Sequence, residues 1–139
     1  MNRRLVILTI VAACGLAGAG SVAAHHSATM FDHSKTLTLK GTVVEVHWVN
    51  PHVSYLVNGT VKDGDTPADW LLETTSPGNL ARVSNWTRTS VKPGDKVIVD
   101  FSPLRDPEQH GGNLKKVTLV ESGLVLISNI REQEQPGLE

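Results

Sequence analysis

Five of the six histidines in this 139-residue chain stand where an imidazole could take a ligand. His25 and His26 are adjacent, His47 and His52 flank the turn Asn50-Pro51, and His110 lies in a stretch dense in glycine, proline and charge. Cleavage of the chain after Ala24 would make His25 the first residue. Its free α-amine and its own imidazole could then chelate one metal ion. Nitrogen donors in that arrangement suit Cu(II), which favours tetragonal coordination by nitrogen and oxygen. A further imidazole would complete the site, with His47, His52 and His110 as the possible donors and His52 or His110 preferred. Trp48, Asn50, Arg105 and Asp106 lie beside these histidines and are candidates to line it. The plainer alternatives are a polar tail for His25 and His26, a solvated strand position for His47, a turn cap for His52 and a loop residue for His110.

Other chemistry has less behind it. Trp48, Trp70 and Trp86 could form an aromatic platform for a sugar or base, but Trp48 and Trp70 share parity with core positions and Trp86 follows a helical apolar face. Glu73 with Asp100 or Asp106 could act as an acid–base pair, yet the spacing is not diagnostic and no nucleophile elbow or phosphate loop accompanies it. The sequence therefore points away from an enzyme. Asn58-Gly-Thr60 and Asn85-Trp-Thr87 match glycosylation sequons, which a bacterial-type leader reduces to chance matches.

That leader occupies residues 1–24. Asn2-Arg3-Arg4 is a basic head, Leu5 to Ala13 an apolar run too short to span a bilayer, and Val22-Ala23-Ala24 a small-residue cleavage site. The layout is that of a secretory signal peptide and predicts a periplasmic protein with no transmembrane segment in its mature chain. A competing reading makes Val11-Ala12-Ala13-Cys14 a lipobox, with Cys14 lipidated and His25 left inside an ordinary peptide bond. Cys14 is the only cysteine, so a chain cut after Ala24 has no thiol and must be held by its core. Thirteen basic residues, two of them in the leader, face 14 acidic ones, and no basic stripe appears. Nucleic acid is an unsuitable partner for such a surface.

The elements that must position the histidines are mostly strands. Residues 25–35 read as an extended arm in which Phe31 pins the chain to the domain that follows. Residues 36–130 read as that domain and 131–139 as a polar tail. The first strand, Thr36 to Val49, alternates Thr42, Val44, Val46 and Trp48 on one face with Val43, Glu45, His47 and Val49 on the other. A second strand runs from His52 to Lys62 and a third from Asp69 to Thr75, joined by the turn cluster Asp63-Gly64-Asp65-Thr66-Pro67. Ser76-Pro77 is a helix start, serine as N-cap and proline at the first position, with Leu80 and Val83 on an apolar face. Strands return at Lys96 to Phe101, Leu114 to Val120 and Leu124 to Ser128. Three strands, one short helix and two or three further strands predict a small OB-like barrel, all-β apart from that helix and five- or six-stranded. In such a barrel the connection at Asn50-Pro51 is expected near the 102–113 loop, so that His52 and His110 approach each other.

His25-His26-Ser27, the run HWVNPH at 47–52, ETTSPGNL at 73–80, KPGDKV at 92–97 and PLRD at 103–106 together resemble an uncharacterised bacterial family of small exported proteins, a domain of unknown function. The resemblance covers residues 25 to about 126 and implies export and a shared fold, but no reaction. Two departures are visible: Arg105-Asp106-Pro107 where the family continues Arg-Asp-Gly, and Asn85-Trp86 where it tends to Gly-Trp. The histidine terminus itself is similar to the copper-binding brace of several exported proteins. Two functions from different classes follow as expectations. One is a non-enzymatic binding protein that coordinates copper through His25 and His26; the other is an accessory module that docks on an exported partner through the 50–52 and 102–113 loops. Mass spectrometry of the exported protein should give a chain starting at His25. A lipidated species starting at Cys14 would overturn both the cleavage site and the terminal chelate.

Overall fold

The computed structural model describes residues 30–128. The strand segments lie where β-branched and aliphatic residues alternate with polar ones: β1 (Leu37–His47), β2 (Ser54–Thr60), β3 (Ala68–Glu73), β4 (Lys96–Pro103), β5 (Gly111–Leu119) and β6 (Val125–Ile127), with the helix α1 (Pro77–Ser84) between β3 and β4. The hydrogen-bonded order is β3-β2-β1-β4-β5-β6, and β3 also pairs with β5. That last pairing is parallel, with Leu71 opposite Gly111 and Glu73 opposite Asn113, and it closes five strands into a barrel. The circuit β1-β2-β3-β5-β4 with a helix between the third and fourth strands is the OB-like arrangement expected from the element order. The sixth strand lies outside the circuit and pairs with β5 alone, Lys116 opposite Ile127.

Side chains from all five barrel strands meet in one core that includes Leu39, Val43, Tyr55, Val57, Leu72, Val97, Val99, Phe101, Leu114 and Val117. The helix begins as the sequence predicts. Ser76 is the N-cap and its hydroxyl accepts from the Asn79 N–H at 3.3 Å, while Pro77 occupies the first turn, where no N–H is needed. It ends after two turns because Asn85 takes the left-handed conformation (φ 54°), and the Trp86 N–H returns to the Leu80 carbonyl at 3.3 Å. Leu80 and Trp86 are both buried in the barrel core. The Trp86 indole N–H donates to the Ile127 carbonyl at 3.2 Å, which ties the end of the helix segment to the outer strand.

Two sequence expectations change. The alternation in β1 breaks at a β-bulge between Val43 and Glu45, where one extra residue intervenes before pairing with β2 resumes. Val43 is therefore buried with Leu39, Val44 is 49% exposed, and Val46 and Trp48 pack on the core beyond the bulge. Counting by twos cannot see an inserted residue. The second change is in β5, which begins at Gly111 rather than Leu114. A Cβ at Gly111 would meet the Leu71 carbonyl oxygen at 2.8 Å and Leu104 Cδ1 at 3.0 Å, and one at Gly112 would overlap the Phe101 ring. The two glycines that read as a loop signal are what lets β5 close against β3 and β4.

Leu80 is the helix residue that carries this packing, so Leu80→Ala should cost about 2–5 kcal/mol, the range for truncating a buried leucine. The urea midpoint should fall while the slope of the transition stays unchanged. An unaltered midpoint would show that α1 does not pack as described.

Candidate functional site

The most chemically varied part of the described surface lies where the arm, the β4–β5 connection and β3 run side by side. Phe31 forms an antiparallel bridge with Leu104, the Asp32 N–H donates to the Pro103 carbonyl at 2.8 Å, and the Arg105 N–H donates to the Met30 carbonyl at 2.9 Å. Phe31 is buried, and the His33 ring meets its edge at 6.1 Å between centroids. Residues 30–32 are thus pinned as one more strand-like segment against the end of β4. Just beyond Phe31 the chain turns: the Asp32 carboxylate accepts from the Ser34 hydroxyl at 2.6 Å and its N–H at 3.2 Å, and pairs with Lys35 at 3.1 Å. The hydrogen bonds from Ser34, aided by Lys35, hold the Asp32 pKa at about 2.

Both ends of the stretch that reads as a 102–113 loop are strand, 102–103 in β4 and 111–113 in β5. The Leu104 N–H donates to the Gly111 carbonyl at 3.0 Å, and only a tight turn projects beyond Arg105 and His110. Asp106 organises that turn. Its carboxylate accepts from the Glu108 N–H at 3.0 Å and from Gln109 Nε2 at 2.9 Å, and its carbonyl accepts from the Gln109 N–H at 3.3 Å. Asp106 is therefore a turn residue first. On the far side, the His110 carbonyl accepts from the Leu71 N–H at 3.2 Å, and the exposed His110 ring lies over Trp70 at 4.6 Å and 30°. Trp70 in turn meets the buried Phe101 edge-on at 5.5 Å. Among the described residues its buried indole N–H has no acceptor, and packing holds the ring.

Elsewhere the candidate residues separate. His47 points outward as its parity with Glu45 predicts, and the two side chains pair at 3.1 Å, both about half exposed. Trp48 is half-buried against the core, and its carbonyl accepts from Arg88 Nη2 at 3.3 Å. Asn50 and His52 are exposed, and the Asn50-Pro51 peptide is cis. The Val53 N–H donates to the Thr75 carbonyl, which places His52 at the level of Thr75 on one flank of β3. His110 stands at the level of Trp70 on the other flank. Five residues of extended chain span roughly 16 Å, so the register keeps the His52 and His110 backbones far apart. The expected approach of these two histidines is not what the register gives. Because β5 joins β3 in parallel near its middle, the β4–β5 turn does not reach the β1–β2 connection. Among the described residues no group of three or more His, Cys, Asp or Glu side chains is placed to hold a metal ion. His25 and His26 lie outside the described residues.

Two of the three acidic candidates, Asp100 and Asp106, have engaged carboxylates. Asp100 accepts from Thr38 Oγ1 at 2.8 Å and pairs with Lys116 at 2.6 Å, and these contacts outweigh its partial burial and lower its pKa. Trp86 is wholly in the core, so the three tryptophans form no shared platform. The sequence reading missed the His110–Trp70 stack and the part Met30 plays in the arm. The inward parity of Trp70 was its one visible signal; pairing between β3 and β5 was not.

The chain belongs to a family of unknown function, DUF6152, whose model matches residues 13–113. The match ends just inside β5, at the end of its pairing with β3. Neither the curated proteins nor the solved structures include a match to this chain. No described helix is long and apolar enough to cross a membrane.

The Asp32 turn has a definite acid response. Its folded pKa is depressed from 3.8 to about 2, so its contribution is complete above the ordinary carboxylate range and is lost as pH falls through about 2. NMR shifts of the Ser34 amide should titrate with a midpoint near 2, and Ser34→Ala should move the Asp32 midpoint up toward 3.8. A parent midpoint already near 3.8 would show that the turn is not formed in solution.

Proposed function

We propose that this is an exported, periplasmic, non-enzymatic binding protein that coordinates Cu(II) through the α-amine and imidazole of His25 after removal of residues 1–24. The observation that carries this reading is the anchoring of the arm. Met30 is held opposite Arg105 by the antiparallel bridge at Phe31 and Leu104, next to the 105–110 turn. His25 is five residues upstream of Met30, a reach of at most roughly 17 Å in an extended chain. The β3–β5–β4 register places His110 two strand spacings from Met30, about 10 Å. That spacing favours His110 as the completing imidazole, with His26 next to His25 in sequence, whereas His52 belongs to another part of the surface. Asp106 and Glu108 add negative charge beside the turn, which favours a cation there.

Docking on an exported partner is a second reading, favoured by the exposed Val49 (55%) beside the exposed Asn50 and Pro51. It would use the β1–β2 connection separately from the 102–113 segment, since the two do not converge.

Cu(II) titration followed by electron paramagnetic resonance distinguishes these readings. Protein beginning at His25 should bind at least tenfold more tightly than His25→Ala or a chain with one extra residue before His25, a difference of about 1.4 kcal/mol. His110→Ala should change the spectrum and His52→Ala should not. Equal affinities and identical spectra for the three N-terminal forms would discard the chelate and leave partner docking as the reading to pursue.

A further inference from the structure

Met30, Arg105, His110 and Trp70 occupy one row across four adjacent backbone segments. The Arg105 N–H donates to the Met30 carbonyl, Leu104 pairs with Gly111 one residue along, and the Leu71 N–H donates to the His110 carbonyl. Directly opposed residues in a sheet share a face, and the His110–Trp70 stack shows that face is the one toward the barrel mouth. A thioether and an imidazole therefore flank Arg105 on one side of the sheet. Met30 is 43% exposed, although it lies beside a buried Phe31. The His110 ring is exposed, and among the described residues its nitrogens have no hydrogen-bond or ion-pair partner. One of the two donors is anchored by backbone pairing and the other by a ring stack.

We propose that Met30 Sδ and an imidazole nitrogen of His110 form a binding site for a soft monovalent cation, Cu(I) or Ag(I), at the rim of the barrel, with Trp70 holding the His110 ring in place. Thioether sulfur selects such ions over harder divalent ones, and imidazole is a compatible second donor. Two strand spacings separate the backbones by about 10 Å, which two side chains and metal–ligand bonds of about 2.0–2.3 Å can span. The Trp70 π face beneath the imidazole adds a favourable surface for positive charge. Arg105 stands between the two donors and opposes the ion. Its charge lowers affinity without removing either donor. Met30 is the sole methionine after the initiator, so no other thioether substitutes for it. This site does not depend on the His25 chelate, though it shares His110 with it.

The test is titration of the exported protein, labelled with ¹³C at the methionine methyl, with Ag(I) in chloride-free nitrate buffer, read by NMR. The Met30 methyl and the His110 ring resonances should shift along one saturation curve. Met30→Leu, which conserves volume at an exposed position, should weaken Ag(I) binding at least tenfold, and His110→Gln should do the same. Arg105→Gln should tighten it by removing the like charge. The chain with an added N-terminal residue should lose Cu(II) affinity yet keep Ag(I) affinity, so either site can fail without the other. Unshifted Met30 and His110 resonances at saturating Ag(I), including the case where only His25 and His26 respond, would overturn the proposal. So would Met30→Leu binding as tightly as the parent, and neither result requires the His110 variant to fold.

Discussion

The parallel contact between β3 and β5 is the constraint on which the rest of this protein depends. It spans only Leu71 to Glu73 against Gly111 to Asn113, yet it converts a sheet with two free edges into a closed barrel. Closure requires the two backbones to approach where β4 also arrives, and Gly111 and Gly112 leave that space by having no side chain. Once closed, the barrel buries Tyr55, Phe101 and Leu72 and seats α1 through Leu80. The same contact delivers His110 to Trp70. A side chain at Gly112 would strike the Phe101 ring and the Ser102 carbonyl, so fold and site would be disturbed together.

The arm depends on the same closure at one remove. Phe31, Asp32 and Met30 bond to the end of β4, whose position is fixed by the turn to β5. A domain without a disulfide gains little else to hold a leading segment, and here two backbone hydrogen bonds and one buried ring hold residues 30–32. The consequence for function is spatial. Met30 itself stands beside the Arg105–His110 turn, on a surface where a thioether, an imidazole and an indole share a row. The β1–β2 connection, with His52, Asn50 and the exposed Val49, serves a different part of the surface. A ligand spanning both would be large.

Much of the architecture follows from local pattern. The N-cap Ser76 and Pro77 fix the helix start, the alternation of apolar and polar residues in β2 and β4 fixes strand faces, and the order of elements is enough to propose an OB-like barrel. The donor types are equally open to reading: adjacent histidines, a histidine on each side of Asn50-Pro51, and His110 in a glycine-rich stretch. These are statements about residues close together in the chain, where propensity and spacing act directly.

What the chain could not declare is which distant residues meet. The bulge after Val43 shifts the faces of β1 by an insertion that no alternation rule contains. The separation of His52 from His110 depends on β5 entering in parallel at Leu71, a register chosen by the packing of Phe101, Leu104 and two glycines together. Met30 and Trp70 are 40 positions apart and carry no shared motif, yet they stand in one row because three strand pairings lie between them. Registers of that kind are set by the fit of the whole core, since each strand's alternation is compatible with several partners and only the closed barrel selects one.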